Sequence, residues 1–432
     1  MSSSRVFNFI SDQPEQFKEK LLSWASSNQI YCLLNSNDYS DQNRFLPGKT
    51  TDFLLAAGTT DSLVAKGKAW EKLKLFSDKN KGKWIFGHLS YDLKNQVENL
   101  SSDNPDNIGF PLLHFFVPEV LIEVKGEEIH IHAESQAEPE EIFEKINHSS
   151  PLKEEGSSRL FKNKVNEKDY RNTVSEILKD IKYGDVYELN YCIEFFAEKS
   201  DITPGEVYMK LNNFSPAPFS ALYKFDSRYL ISASPERFLA KRGEKIFSQP
   251  IKGTTRRGKT KNEDEQLIEE LRNNQKERSE NIMIVDLVRN DLSRSCIPGS
   301  VVVDELCGIY TFPHVHQMIS TVSGTVNPDM HPVDVIKNAF PMGSMTGAPK
   351  IRAMELIEKY EATGRGLYSG SVGYFTPEGD FDFNVVIRSL QYNMERKYLS
   401  VMAGSAITAL SDPEKEYEEC LLKAQALMKV LG

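Results

Sequence analysis

Several residues in this chain are of types that carry acid–base, nucleophilic or metal chemistry, and each also has a plainer explanation. In SQPIKGTTRRGKT, Lys252 sits beside Gly253 and shortly before Arg256 and Arg257. A lysine attacks only when neutral, and near pKa 10.4 only about one side chain in a thousand is neutral around pH 7.4. Nearby cations or removal from water lower that pKa. The plainer reading is a basic turn that binds anions or faces water. Glu236, in SASPERF, follows a proline at the end of a strand pattern, a place suited to a general acid. An ion pair with the adjacent Arg237 explains it as well.

The C-terminal segment reads as a helix from Asp412-Pro413, an N-cap followed by proline at the first helical position, to about residue 430. Tyr417, Cys420, Leu421, Ala424, Leu427, Met428 and Leu431 form one apolar arc, and Glu416, Glu419 and Lys423 line its edge. Two carboxylates one turn apart can share a hard cation. A Glu–Lys surface ladder has the same spacing. Glu280 opens ENIMIVDLVRND, where the helix dipole alone favours a carboxylate. It becomes a third metal candidate only if the fold carries it to Glu416 and Glu419.

Other motifs are weaker. MGSMTGAPKIRAMELI lacks the spacing of a nucleotide phosphate loop, although a Gly/Ser/Thr loop entering a helix still suits an anion. The pairs His130/His132 and His314/His316 lack a local third ligand, which argues against zinc. Five cysteines without a CxxC pair fit a reducing compartment rather than a disulfide framework.

Elements of both kinds must position these groups. Helices are expected over 169–182, 262–290 (apolar almost all round at its end), 349–360 beginning with Pro349, and 412–430. VLIEV and EIHIHAE read as a hairpin. RYLISASPE, KIFSQPIKG, SGSVGYFTP, DFNVVIRSLQY and YLSVMAG are strand candidates whose spacing argues for antiparallel sheets with helices outside. The polar, acidic stretch 133–168, with HSSPLKEEGSS near its centre, is the best boundary between residues 1–150 and 160–432. With 432 residues, 40% apolar and 26% charged, the chain has a soluble globular composition. Its net charge of −10 disfavours nucleic acid and anionic membrane partners. No signal peptide or membrane-spanning run is visible, so a cytoplasmic location is expected.

Taken in order, PIKGTTRRG, ERSENIMIVDLVRNDL, MGSMTGAPKIRAMELIE, YSGSVGYF, VVIRSL, AGSAIT and SDPEKEYEECLLKA resemble the chorismate-utilising enzymes, the group that includes anthranilate and aminodeoxychorismate synthase components I. The resemblance is strong over about 160–432 and reaches the N-terminal part through GHLSYDL and LLNS. It implies an α+β fold of two large, mainly antiparallel sheets packed face to face with helices outside.

The resemblance also implies a site. Glu280 and Glu419 match magnesium ligands, and Glu416 a nearby carboxylate that helps hold Mg²⁺. Glu236 matches the general acid for loss of the chorismate 4-hydroxyl. Tyr368, Arg388 and Lys423, with Gly253, Thr254 and the backbone of Gly404, Ser405 and Ala406, match positions around the substrate carboxylates. Lys252 separates the subfamilies: PIKGT resembles the aminodeoxychorismate synthases, whereas the anthranilate synthases resemble PIAGT. The lysine would attack C2, and ammonia from a separate glutamine amidotransferase would then add at C4 to give 4-amino-4-deoxychorismate, a precursor of p-aminobenzoate and folate. No motif for a fused glutaminase is visible. Glu188, in GDVYELNY, stands where isochorismate-forming relatives carry a lysine base, which disfavours that chemistry.

The chain departs from the family at Gln317, where many relatives carry histidine, and at Ala406, where they carry glycine. Leu33-Leu34-Asn35-Ser36 and Pro218-Phe219-Ser220 match a regulatory tryptophan pocket with altered residues. Anthranilate synthesis is the alternative activity. A non-catalytic chorismate- or tryptophan-binding subunit is a remoter one, because binding alone needs neither an acid nor a nucleophile.

Overall fold

The computed structural model describes residues 5–37, 39, 53–133, 138–150, 152 and 159–431. Most of HSSPLKEEGSS and the first four residues lie outside them. Among the described residues, one sheet has twelve strands. It runs from Arg5–Ile10 through Glu128–Ala133, Val120–Lys125, Phe53–Ala57, Ile30–Asn35, Phe219–Phe225, Arg228–Ser234, Ser389–Asn393, Tyr398–Thr408 and Glu188–Ala197 to Gly347–Ala348, with Lys162–Asn163 also on Glu188–Ala197. The other has ten, in the order Ile251–Arg256, Val315–Thr325, Lys245–Gln249, Arg237–Arg242, Phe381–Asn384, Ser371–Phe375, Ile85–Leu89, Leu113–Val117 and Asp61–Ala65, with Val302–Thr311 also on Val315–Thr325. The strands pair antiparallel, and residues 1–150 supply strands to both sheets.

Period-two alternation separates the layers. Cys32, Leu54, Ala56, Leu121 and Tyr223 of the larger sheet share one apolar cluster with Phe86, Phe116, Val372 and Tyr374 of the smaller. Their neighbours Leu33, Leu55 and Ile122 face the opposite way, against Leu21, Ile142, Val174 and Ile177 of the outer helices. On the smaller sheet Ile85, Phe115 and Phe383 pack with Leu73, Ile284 and Ile336. This is the helix–sheet–sheet–helix arrangement that the resemblance implied.

Local chemistry sets the helix ends. Asn166 accepts from the Asp169 N–H at 2.9 Å, and Gly184 closes the helix Glu167–Tyr183 at φ 90°. Asp412 caps Pro413–Met428 through the amides of Glu414 and Lys415. The stretch 262–290 is two helices, Lys261–Asn273 and Gln275–Ser293, because Asn274 leaves helical geometry and caps the second. That second helix is also two-faced: Ile284 and Val285 are buried, whereas Ile282 is 39% exposed. Pro349 is the N-cap of Lys350–Tyr360 rather than its first residue.

Two strand candidates divide. Pro250 separates Lys245–Gln249 from Ile251–Arg256, and residues 385–388 carry the chain between sheets, so DFNVVIRSLQY contributes one strand to each. Among the described residues no helix is long and apolar enough to cross a membrane, and the five cysteines are buried and free. Truncating Phe86, fully buried between the sheets, to alanine should cost about 3–5 kcal/mol. Urea unfolding measures it, and a loss below about 1 kcal/mol contradicts this packing.

Candidate active site

The chain passes from the larger to the smaller sheet at 235–236 and back at 385–388. The two crossings are tied together: the Ser234 hydroxyl donates to the Val385 carbonyl at 2.6 Å, and the Val385 N–H donates to the Glu236 carbonyl at 3.0 Å. Glu236 and Arg388 are thereby brought to one end of the inter-sheet space, Arg388 in the uncommon left-handed region at φ 50°. Lys252 arrives from the strand Ile251–Arg256, whose register against Val315–Thr325 shifts between Ile251 and Thr254. Gly253 makes that irregularity at φ 94°, and a Cβ there would approach Glu277 and Met318 to 3.2 Å.

Two helices complete the walls. Gln275–Ser293 brings Lys276, Glu277 and Glu280, and its Asn281 amide donates to the carbonyls of Lys252 and Met318 at 3.3 Å each. Pro413–Met428 brings Glu416, Glu419 and Lys423. Together they enclose a cavity of about 530 Å³, within the range of small-molecule sites. Lys252, Glu236, Gly253, Thr254, Tyr368, Arg388, Gly404, Ala406, Lys423, Glu280, Glu416 and Glu419 all line it. Ser405 does not: its hydroxyl faces the helix layer, 3.1 Å from Tyr170 Oη. Gly404 lets its strand approach the neighbouring one closely, since a Cβ there would come within 2.4 Å of Cys192 Sγ.

The cavity is crowded with opposite charges. Lys252 Nζ donates to Glu188 Oε1 at 2.5 Å, and Glu188 is fully buried with Oε2 lacking a hydrogen-bond partner. Burial alone would lower the Lys252 pKa, but Glu188, Glu280 and Glu236 outweigh it and the net shift is upward. Burial raises Glu236 to about 7, against the Ser344 hydroxyl, which donates to its Oε1 at 2.6 Å, and the charge of Lys252. No ion pair joins Glu236 to Arg237 among the described residues. Arg237 instead pairs with Asp382 at 3.0 Å and stacks over Phe219 and Phe247. Burial likewise raises Glu280 to about 7 and lowers Arg388, with Tyr368 and Glu419 opposing. Burial works to raise Glu419 too, but Lys423 at 2.5 Å carries it down. Lys423 also donates to the Gly404 carbonyl at 2.8 Å.

The residues fit a hard cation in part. Lys276 Nζ lies 3.8 Å from Glu280 Oε1 and 3.8 Å from Glu416 Oε1, so these two carboxylates already converge on one positive charge. Glu280 Oε1 is buried without a hydrogen-bond partner, and carboxylate oxygens are the donors that Mg²⁺ prefers. Glu419 is turned to Lys423 instead, and among the described residues no three acidic, histidine or cysteine groups converge as a metal cluster.

Sequence reasoning missed Lys276, Glu277, Asn190 and Ser344, which also line the cavity. Lys276 stands one helical turn before Glu280, a spacing visible in the sequence. The Ser344 loop contributes its hydroxyl rather than an amide nest: the N–H groups of Met345 and Thr346 donate to Met342 and Gly343. Gln317 lines the cavity with Oε1 unpartnered, whereas His316 turns away to Asp264 Oδ1 at 2.9 Å. His132 contacts Glu123, and His314 contacts the Phe214 carbonyl. Ser36, Pro218, Phe219 and Ser220 lie together outside this cavity, where the Asn37 amide donates to the Ala217 carbonyl at 2.8 Å and to Ser220 Oγ at 3.2 Å.

The sequence pattern of the chorismate binding enzyme family matches residues 31–429. A probable chloroplastic aminodeoxychorismate synthase of Oryza sativa is 45% identical over 266 residues, 61% of this chain and 30% of that protein. The chain thus spans under a third of that relative. Aminodeoxychorismate synthase component 1 of Bacillus subtilis is 34% identical over 361 residues, 80% of this chain and 76% of the relative. The crystal structure of anthranilate synthase component I from Streptococcus pneumoniae superposes with TM-score 0.78 at 26% identity, covering 87% of this chain and 91% of that one.

A carboxyl raised by burial binds its proton more tightly in the folded than in the unfolded chain. Its contribution to stability therefore falls as pH rises from about 4.5 towards 7 and above. Glu236→Gln should remove that loss, stabilising the protein at pH 8 relative to pH 5 by about 2–3 kcal/mol more than wild type. Denaturant unfolding at the two pH values measures this, and equal differences would refute the buried, protonated acid.

Proposed function

This chain belongs to the family of chorismate-binding enzymes, and we propose that it aminates chorismate at C4 to give 4-amino-4-deoxychorismate. The observation that carries this reading is the placement of Lys252 and Glu236 in one cavity, with Glu236 raised to about 7 by burial. A carboxyl held near neutrality can donate a proton at physiological pH. The amine of Lys252, once neutral, attacks ring C2, the ring double bonds shift, and the C4–O bond breaks. The departing hydroxyl leaves as water with the proton of Glu236. Ammonia then adds at C4, the double bonds shift back, and the C2–N bond breaks to release lysine. The new C4 ammonium returns a proton to Glu236, so the sum is chorismate plus ammonia to product plus water.

Arg388, Tyr368, Lys423, Thr254 and the Gly404–Ala406 backbone would hold the two substrate carboxylates. Glu280 and Glu416, with Glu419 alongside, would hold Mg²⁺, which offsets substrate negative charge when bound. Ammonia would come from a separate glutamine amidotransferase, and we assign the protein to the cytoplasm. The same cavity without a nucleophilic lysine would suit anthranilate formation, the activity named for the Streptococcus pneumoniae neighbour.

Product analysis by mass spectrometry from chorismate, Mg²⁺ and ammonium chloride distinguishes these readings. Wild type should form aminodeoxychorismate. Lys252→Ala should reduce its formation to background, and Glu236→Gln should reduce it by about 10²–10⁴-fold. Release of anthranilate and pyruvate by wild type, or an undiminished rate in Lys252→Ala, overturns the proposal.

A further inference from the structure

A lysine surrounded by carboxylates is poorly placed to be neutral, so the covalent step needs a group that takes its proton. Ammonia cannot serve, because it enters after the lysine has bonded. Glu236 cannot serve at that moment either, because it must itself carry a proton for the departing hydroxyl.

We infer that Glu188 is the base that deprotonates Lys252, making it a further catalytic residue of the amination proposed above. Glu188 Oε1 is 2.5 Å from Lys252 Nζ, the reacting nitrogen. Glu188 opens the strand Glu188–Ala197 and is held from both sides, opposite Thr408 and opposite Ala348. It is fully buried, so water does not compete for the proton, and Oε2 has no hydrogen-bond partner. At a buried carboxylate a neutral amine and carboxylic acid compete with the ion pair far better than in water, because both charges shed their desolvation cost.

The proton count closes. The Lys252 ammonium passes one proton to Glu188, leaving an amine and a carboxylic acid. The amine attacks C2 and becomes a charged secondary ammonium, while Glu236 releases its proton to the leaving hydroxyl. When ammonia adds at C4, Lys252 departs as the neutral amine and recovers its proton from Glu188. No oxidant or further reactant is required. The inference rests on the covalent reading, and its test separates the two.

The test is the rate at which the intact protein gains the mass of chorismate minus one water when mixed with chorismate and Mg²⁺ without ammonia, followed by rapid quench and mass spectrometry. Wild type should form this adduct on Lys252. Glu188→Gln should form it at least about tenfold more slowly near pH 7. Solvent hydroxide must then deprotonate the lysine, so the variant rate should climb up to tenfold per pH unit while wild type changes less. The carboxylates that act on Lys252 in that variant are Glu236, Glu280, Glu277 and Glu419, with the ammonium of Lys276 beside Glu280. Glu188→Asp, which keeps a carboxylate, should fall between the two and remains informative if the glutamine variant folds poorly.

A wild-type adduct with equally fast labelling of Glu188→Gln overturns the role of Glu188 alone. So does slow labelling that high pH does not restore, which marks a purely structural residue. Product formation by wild type without any Lys252 adduct overturns the covalent reading, and the role of Glu188 with it.

Discussion

One ammonium group, Lys252 Nζ, is buried among the carboxylates of Glu188, Glu236 and Glu280, and the surrounding structure is organised by that constraint. Burying an isolated charge is expensive, and removing one partner of a buried pair typically costs several kcal/mol. The cavity meets this by matching charges on walls that come from distant parts of the chain: strands of both sheets, two crossovers and two helices. The carboxyls of Glu236 and Glu280, raised to about 7 by burial, hold protons close to neutrality and so reduce the negative charge that the cavity's lysines and arginines must balance. A carboxyl able to give up a proton near neutral pH is thus created by the same desolvation that makes the site costly.

Further buried pairs hold those walls in place. Arg365 pairs with Glu361 at 2.6 Å and donates to the carbonyls of Met345 and Asn190, fixing two segments that line the cavity. Glu361 in turn accepts from the Cys192 N–H at 2.9 Å. Lys350 pairs with Asp291 at 2.6 Å and donates to the Pro341 carbonyl at 2.8 Å, so the loop carrying Ser344 is fastened to the helix carrying Glu280. Arg237, immediately after Glu236, is locked between Asp382 and two aromatic rings. Each pair satisfies its own buried charge, and each orients a cavity residue without entering the cavity.

Much of this was legible in the sequence, for different reasons. The helices with apolar stripes and side-chain caps, such as Glu167–Tyr183 and Pro413–Met428, follow from local spacing and hydrogen-bonding chemistry. The sheet crossings at 235–236 and 385–388 do not, since a continuous apolar run such as DFNVVIRSLQY carries no mark of the point where a strand changes sheet. The family motifs located the cavity residues, but not their pairings. Glu188 entered as a reason to exclude another chemistry and proved to be the nearest partner of Lys252. Lys276 was passed over because a lysine one turn before a glutamate looks like any surface ladder. Ser405 belongs to the expected substrate cradle through its backbone alone, and strand alternation turns its side chain to the helix layer.

The central claim is that burial keeps Glu236 protonated close to neutrality despite the charged Lys252 beside it. The most direct measurement is an infrared titration of the free enzyme, taking the carboxyl-stretch difference between wild type and Glu236→Gln. A midpoint near 7, moving higher when Lys252 is replaced by alanine and its charge no longer favours the carboxylate, is the predicted result. A midpoint in the ordinary glutamate range of about 4.3, indifferent to Lys252, would contradict it.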